Sequence, residues 1–300
     1  VVPSRNARRK RCLTVLAEYK RNAEIMPGGI SPPGIFRYAL GVEYCGENYY
    51  GWQRLTGVKD LPSVQAALER ALSLVADEPI KVVCAGRTDA GVHATNQIVH
   101  FDTAAIRLPK AWMLGGNTHL PADIRIKWAH PVAADFHARF SARARTYRYL
   151  IANTLAPPAI ANKQCLWIRK PLDVAAMQQA ANYCVGEHNF NSVRSSICQA
   201  KNPVRTLHHF TITPINGWLV VEICGNAFLH HMVRNLMGLL LPVGMGNQKP
   251  EWVRDVLELR DRKHPGKTEA AGALYLVKVD YDKDYGFPQM AKGPFMLSDN

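Results

Sequence analysis

The run Ile80 to Phe101 sets the strongest constraint on how this chain folds. Two apolar, strand-like stretches, Ile80, Val82 and Val83 before and Ile98, Val99 and Phe101 after, flank the segment Cys84-Ala-Gly-Arg-Thr-Asp-Ala-Gly-Val-His-Ala94. A sheet must form for those flanks to be buried, and the segment between them becomes a loop at its edge. Gly86 and Gly91 bound that loop and allow backbone angles and close approaches that a side chain would block. The loop carries one carboxylate, Asp89, two residues after Arg87. An arginine at that spacing can pair with the carboxylate and aim it. A turn aspartate that bonds its own backbone is the plainer reading.

Upstream, Phe36, Tyr38, Leu40, Val42 and Tyr44 alternate with smaller or polar residues, which predicts a strand with one buried face. Ser63 precedes the helical stripe Val64, Ala67, Leu68, Ala71, Leu72 and Val75, and Asp77-Glu-Pro79 ends it. A further strand is expected over Ile124–Ala129. A second unit repeats the flavour: strand Thr146–Ile151, a helix near Asp173–Val185, and strands at Leu207–Thr213 and Trp218–Cys224. A helix over Phe228–Leu241 follows, then one opened by Pro250, then a strand at Ala273–Val279. Mixed strands and helices in two successive units predict an α/β or α+β class with a cleft between the units. The expected organisation is a basic extension over 1–35, a first unit over 36–136 carrying the Asp89 loop, and a second over 137–300. The extension holds Arg5, Arg8, Arg9, Lys10 and Arg11, a short helical pattern over Arg11–Ile25, and the linker-like Met26-Pro-Gly-Gly-Ile-Ser-Pro-Pro-Gly34. It has no apolar core of the kind a secretory signal needs.

Composition narrows the function. The net charge of +13 suits a polyanionic partner. No acidic residue falls between Asp135 and Asp173, while Arg139, Arg143, Arg145, Arg148, Lys163, Arg169 and Lys170 do, with Phe140, Tyr147 and Tyr149 interleaved. Cations mixed with aromatics match phosphates and unstacked bases; a solvated strand face over core aromatics fits the same pattern. The seven cysteines form no CxxC pair, which points to reduced thiols in a cytoplasmic protein. Apolar runs are too short for a membrane span. Gly266-Lys-Thr268 resembles the end of a P-loop, but Asp261 stands where its first glycine belongs. The paired histidines at 208–209 and 230–231 lack zinc-ligand spacing, so no metal is expected.

The Asp89 loop, as a whole eleven-residue run, resembles the signature of the tRNA pseudouridine synthase A family. The likeness continues in Gly46-Glu-Asn-Tyr-Tyr-Gly-Trp-Gln-Arg54, Ser63-Val-Gln-Ala-Ala-Leu-Glu69, Phe136-His-Ala-Arg-Phe-Ser-Ala142 and Asn226-Ala-Phe-Leu-His-His-Met-Val-Arg-Asn235, in the family's order. It implies one catalytic fold built from two similar units with antiparallel-rich sheets and a central basic cleft, working as a homodimer without cofactor. It implies isomerisation of uridine to pseudouridine at tRNA positions 38, 39 and 40. Asp89 then matches the family's nucleophile, Tyr147 its active-site tyrosine, Arg234 the arginine that pairs with Asp89, and Leu274 an apolar pocket wall. Blind to the family, Tyr147 reads more readily as a core-facing strand residue, and Leu274 fits an ordinary strand position equally well. Arg87, Arg139, Arg143, Arg145, His230 and His231 are the expected substrate contacts. On a helix, Arg234 shares a face with a histidine three or four residues earlier. Two departures stand out: Cys45 where the family often has aspartate, and Asn96 where it often has glycine. Asparagine tolerates left-handed angles, so a turn there would survive. An RNA-binding protein with a vestigial pocket, or a glycosidase acting on free nucleosides, are the alternatives.

Overall fold

The computed structural model describes residues 34–55, 57, 61–261 and 266–294. The basic arm and its helical pattern therefore lie outside the described residues. Ten strands and five α-helices are found among those described. The first half holds β1 (Phe36–Tyr44), α1 (Val64–Ala76), β2 (Val83–Cys84), β3 (His93–Thr103), α2 (Pro109–His119) and β4 (Ile124–Val132). The second holds β5 (Ala144–Ala152), β6 (Leu166–Trp167), α3 (Val174–Asn182), β7 (Gly186–Asn189), β8 (Val204–Ile215), β9 (Trp218–Gly225), α4 (Met232–Gly244), α5 (Glu251–Leu259) and β10 (Leu274–Asp280).

All ten strands join one sheet. Its main path runs β4-β1-β3-β10-β5-β9-β8-β7, with β2 on β3 and β6 on β5. Pairing is antiparallel except at two places, β5 with β6 and β3 with β10. The β3–β10 contact is short, His93 opposite Tyr275 and Ala94 opposite Leu276, and it is the seam between the halves. His93 reinforces the seam. Its Nδ1 accepts the Gly46 N–H at 3.0 Å, so its Nε2 is the nitrogen that donates to the Gly272 carbonyl at 3.0 Å. Its ring stacks on Tyr275 at 4.7 Å.

Helix α1 forms where the apolar stripe predicts it. The Ser63 hydroxyl accepts from Ala66 N–H, and Asp77 closes the last turn in a left-handed conformation. β1 differs from expectation. Ala39 and Gly41 are buried as well as Tyr38, Leu40 and Val42, because the Trp128 indole lies across Gly41. β5 is buried at all nine positions, as befits a strand flanked on both edges. Strand alternation splits its surroundings. Tyr147 and Tyr149 join the large core with Leu274 and Leu276, while Leu150 and Ala152 join a smaller one with Val220, Tyr275 and Val277. Asn96 lies inside β3 with ordinary negative φ, so the turn expected there does not exist.

Candidate active site

The Asp89 loop leaves the sheet at β2 and returns at β3, and it is held along its length. Ala85 N–H donates to Ile98 O at 2.8 Å, and Gln97 Nε2 to Gly86 O at 2.6 Å. The Thr88 hydroxyl pairs with Tyr44 Oη at 2.8 Å, and Thr88 O accepts from Trp52 N–H at 3.0 Å. Gly51 has φ +97°, and a Cβ there would stand 2.8 Å from Thr88 O, so only glycine allows the 49–52 segment to approach this closely. Asp89 O accepts from Val92 N–H across a tight turn in which Gly91 has φ +78°. The first half thus fixes the Asp89 backbone.

The second half supplies what surrounds its carboxylate. Arg234 Nη1, from the first turn of α4, lies 3.1 Å from Oδ2. His230 Nε2 is 3.3 Å from Oδ1, and His231 Nε2 is 3.6 Å from Oδ2. The two imidazoles stack on each other at 4.0 Å. Helix α4 does not begin at Phe228 as the periodicity suggested. His231 takes φ +63° and caps it, and that left-handed residue turns both histidines toward the carboxylate instead of one. Arg234 is held in turn by Glu269 O, which accepts from Nε at 2.7 Å. Asp89 keeps 17% side-chain exposure, enough to be reached and little enough that its partners matter. Burial pushes the His231 pKa down, against the pull of Asp89, so its imidazole is neutral near pH 7.

Tyr147 projects from β5 on the same side. Its hydroxyl lies 3.7 Å from where a Cβ on Gly86 would sit, and the Phe228 ring meets its edge at 5.0 Å. Burial raises the phenol pKa; the Arg145 charge opposes this and the Asp89 charge adds to it, so Tyr147 stays a neutral hydroxyl. Leu274, paired across from Tyr149, is buried on that face.

The expected RNA cations divide into two groups. Arg87, Arg139 and Arg143 are exposed, the last paired with Asp282. Arg145 is buried and gives four hydrogen bonds to carbonyls, those of Ala85, Arg139, Ala142 and Asn226. Arg148 is likewise internal, paired with Glu222 at 2.8 Å and bonded to the carbonyls of Lys292 and Gly293. These two are ties within the fold. Arg87, near Asp89 in sequence, is not among its ion-pair partners. Phe228 and Glu269 escaped the sequence reading. The first stands inside a motif that signals the site, and nothing around the second marks it. The donor atoms of Asp89, His230 and His231 lie within 4.8 Å of one another, within reach of a single cation, but Arg234 already meets Oδ2.

The arrangement offers a part-buried carboxylate, a neutral aromatic hydroxyl and a neutral imidazole. No described helix is long and apolar enough to cross a membrane. Among known proteins, the family model described as tRNA pseudouridine synthase matches residues 41–141 and 180–282. The tRNA pseudouridine synthase A of Pseudomonas aeruginosa is 51% identical over 265 residues, 88% of this chain and 92% of that protein. The protein of the same name from Nitrosococcus oceani is 51% identical over 256 residues, covering 85% and 98%. That of Vibrio campbellii is 50% identical over 264 residues, covering 88% and 99%.

Proposed function

Because the chain belongs to the tRNA pseudouridine synthase family, an isomerase family acting on uridine in tRNA, we propose that it converts the uridines at positions 38, 39 and 40 of the anticodon arm with Asp89 as nucleophile. In this reading the target uridine leaves its stack, at a cost of a few kcal/mol that contacts to the RNA recover. Asp89 forms a transient bond to the nucleoside and the bond from C1' to N1 breaks; the uracil turns, C5 bonds to C1', C5 gives up its proton, N1 takes one up, and the bond to Asp89 is released. The proton that leaves C5 passes to solvent and N1 gains one, so the product is an isomer of the substrate. Tyr147 lays its ring against the uracil and offers a neutral hydroxyl, and its raised pKa argues for a donor more than a base. Leu274 walls the pocket. Arg234 aims the carboxylate through its 3.1 Å contact, and His230 and His231 crowd the same oxygens. Arg87, Arg139 and Arg143 meet phosphates; Arg145 serves the substrate indirectly, by tying the 139–142 segment to the loop. The reading takes the enzyme to work in the cytoplasm as a homodimer, without cofactor or metal.

One observation carries this proposal: Asp89 from one half of the sheet meets Arg234 and both histidines from the other across the β3–β10 seam, with the Tyr147 hydroxyl beside Gly86 of the same loop. A vestigial pocket would have no reason to keep that set. The test is tritium release from tRNA carrying C5-tritiated uridine. Wild type should release tritium and Asp89→Ala should not, while Asp89→Ala still binds tRNA. Tight binding by wild type without release would refute catalysis.

A further inference from the structure

Phe140 is 75% exposed, an apolar ring in water beside a catalytic loop. Its mounting is rigid. The ring stacks on His137 with centroids 4.3 Å apart, and His137 meets His100 of β3 edge-on at 4.8 Å. His100 Nδ1 accepts the Ala138 N–H at 3.0 Å. His137 Nδ1 accepts two backbone N–H groups, from Arg139 and Phe140, both at 3.2 Å. A nitrogen that accepts carries no proton, so both imidazoles are neutral and present uncharged faces. Burial holds His100 at a pKa of about 4, and Arg37 adds to that. The Ser141 hydroxyl closes the turn by accepting from His137 N–H at 3.0 Å.

This turn is tied to the Asp89 loop. One nitrogen of Arg145 donates both to Ala85 O at 2.9 Å and to Arg139 O at 2.7 Å. These two segments carry two exposed guanidiniums. Arg87 stands on the loop two residues before Asp89, and Arg139 stands on the turn that Arg145 ties to that loop. Arg139 also lies over the Phe140 ring at 5.6 Å. That is too far for close stacking, and its long exposed side chain can swing to cap a base laid on the ring.

We propose that Phe140 is a stacking platform for an unpaired nucleobase next to the uridine held at Asp89, with Arg87 and Arg139 on the adjoining phosphates. The inference rests on the reading that this site takes a uridine of tRNA, and it adds the residue that holds the neighbouring nucleotide. Drawing a uridine out of its stack leaves an adjacent base with one bare face, and an aromatic ring replaces the lost partner. Every base has such a face, so the platform serves substrates of differing sequence. An exposed ring with one guanidinium over it and a second on the adjoining loop fits an anionic, aromatic ligand better than an apolar surface.

The test is a cycle on kcat/KM by tritium release, with wild type, Phe140→Leu and Phe140→Trp. Each acts on intact tRNA and on tRNA abasic at either nucleotide flanking the target. Phe140→Leu should lower kcat/KM on intact tRNA roughly five- to hundredfold, mainly through KM, the range for losing one base–aromatic stack. One abasic position should lower wild type to the same level and leave Phe140→Leu no further loss, while Phe140→Trp tracks wild type. Full activity of Phe140→Leu on intact tRNA overturns the platform. So does an equal loss on intact and abasic tRNA, as would arise if Phe140 only supported its turn or met a second copy of the chain. Wild type that releases no tritium overturns the reading of function and the platform with it, so the two failures are told apart. Melting temperatures matching wild type show that the variants fold.

Discussion

The Asp89–Arg234 contact joins residues 145 positions apart and across the seam, so its strength can be measured apart from catalysis. At 3.1 Å, an effective dielectric of about 20 gives an attraction on the order of 5 kcal/mol before desolvation. The side chains keep 15% and 17% exposure, and two histidines share the carboxylate, which discounts that figure to a coupling of about 2–3 kcal/mol. Arg234→Gln also loses the bond to Glu269 O, worth about 1 kcal/mol. That loss occurs whether or not Asp89 is present, so it cancels in a cycle. The expected single-variant cost of Arg234→Gln is thus about 3–4 kcal/mol, and the double variant with Asp89→Asn should be more stable than the sum of the singles by about 2–3 kcal/mol. Urea unfolding followed by tryptophan fluorescence reads all four proteins, since Trp52 and Trp112 are buried. Costs that simply add, within about 0.5 kcal/mol, would refute the claim that this pair joins the halves electrostatically.

Two further outcomes follow from the same structure. Buried His100 has its pKa held at about 4 against an ordinary 6.5, so the folded state binds fewer protons between those values. Its contribution, on the order of 3 kcal/mol, is fully present above about pH 6.5 and is lost as pH falls toward 4. Unfolding free energies across that window should show a shallower acid slope for His100→Gln; an unchanged slope counts against it. A Cβ at Gly238 of α4 would stand 1.9 Å from Lys267 O, and one at Gly266 2.2 Å from Gly238 O. Gly238→Ala should therefore cost about 2–3 kcal/mol and move the strand of chain whose Glu269 carbonyl holds Arg234, lowering both melting temperature and tritium release. A wild-type melt would show that the close approach is not required.

Much of the fold is legible because hydrophobic periodicity and capping agree. Ser63 and its stripe announce α1, and α3 falls inside the expected 173–185 span, where Asp173 caps it by accepting from Ala176 N–H. Helix α2 went unread because Gly115 and Gly116 look like a break. They sit instead where Val75 and Ile126 leave no room for a Cβ. The cations of β5 were legible only in part. Alternation with aromatics looks the same whether arginines face water or carbonyls, and Arg145 and Arg148 are internal because the carbonyls of Arg139 and Ala142 on one face, and of Lys292 and Gly293 on the other, fold over them. The meeting of Asp89 with Arg234 has no trace in spacing or periodicity, and the family resemblance alone pointed to it. The left-handed His231 that admits the second imidazole carries little sequence signal, since histidine is enriched at such angles over most residues but adopts them in only a small fraction of cases.

The short seam between β3 and β10 also sets an order of events during synthesis. The Asp89 loop is translated by residue 92, yet the strand that ties its half to the other spans 274–280. Until that strand leaves the ribosome, β3 has an unpaired edge at His93 and Ala94, and β5 lacks its neighbour. Asp89 and its partners can therefore settle against one another only after nearly all of the described chain has been made. A chain halted before residue 274 carries every one of the proposed catalytic side chains and still has no joined site to put them in.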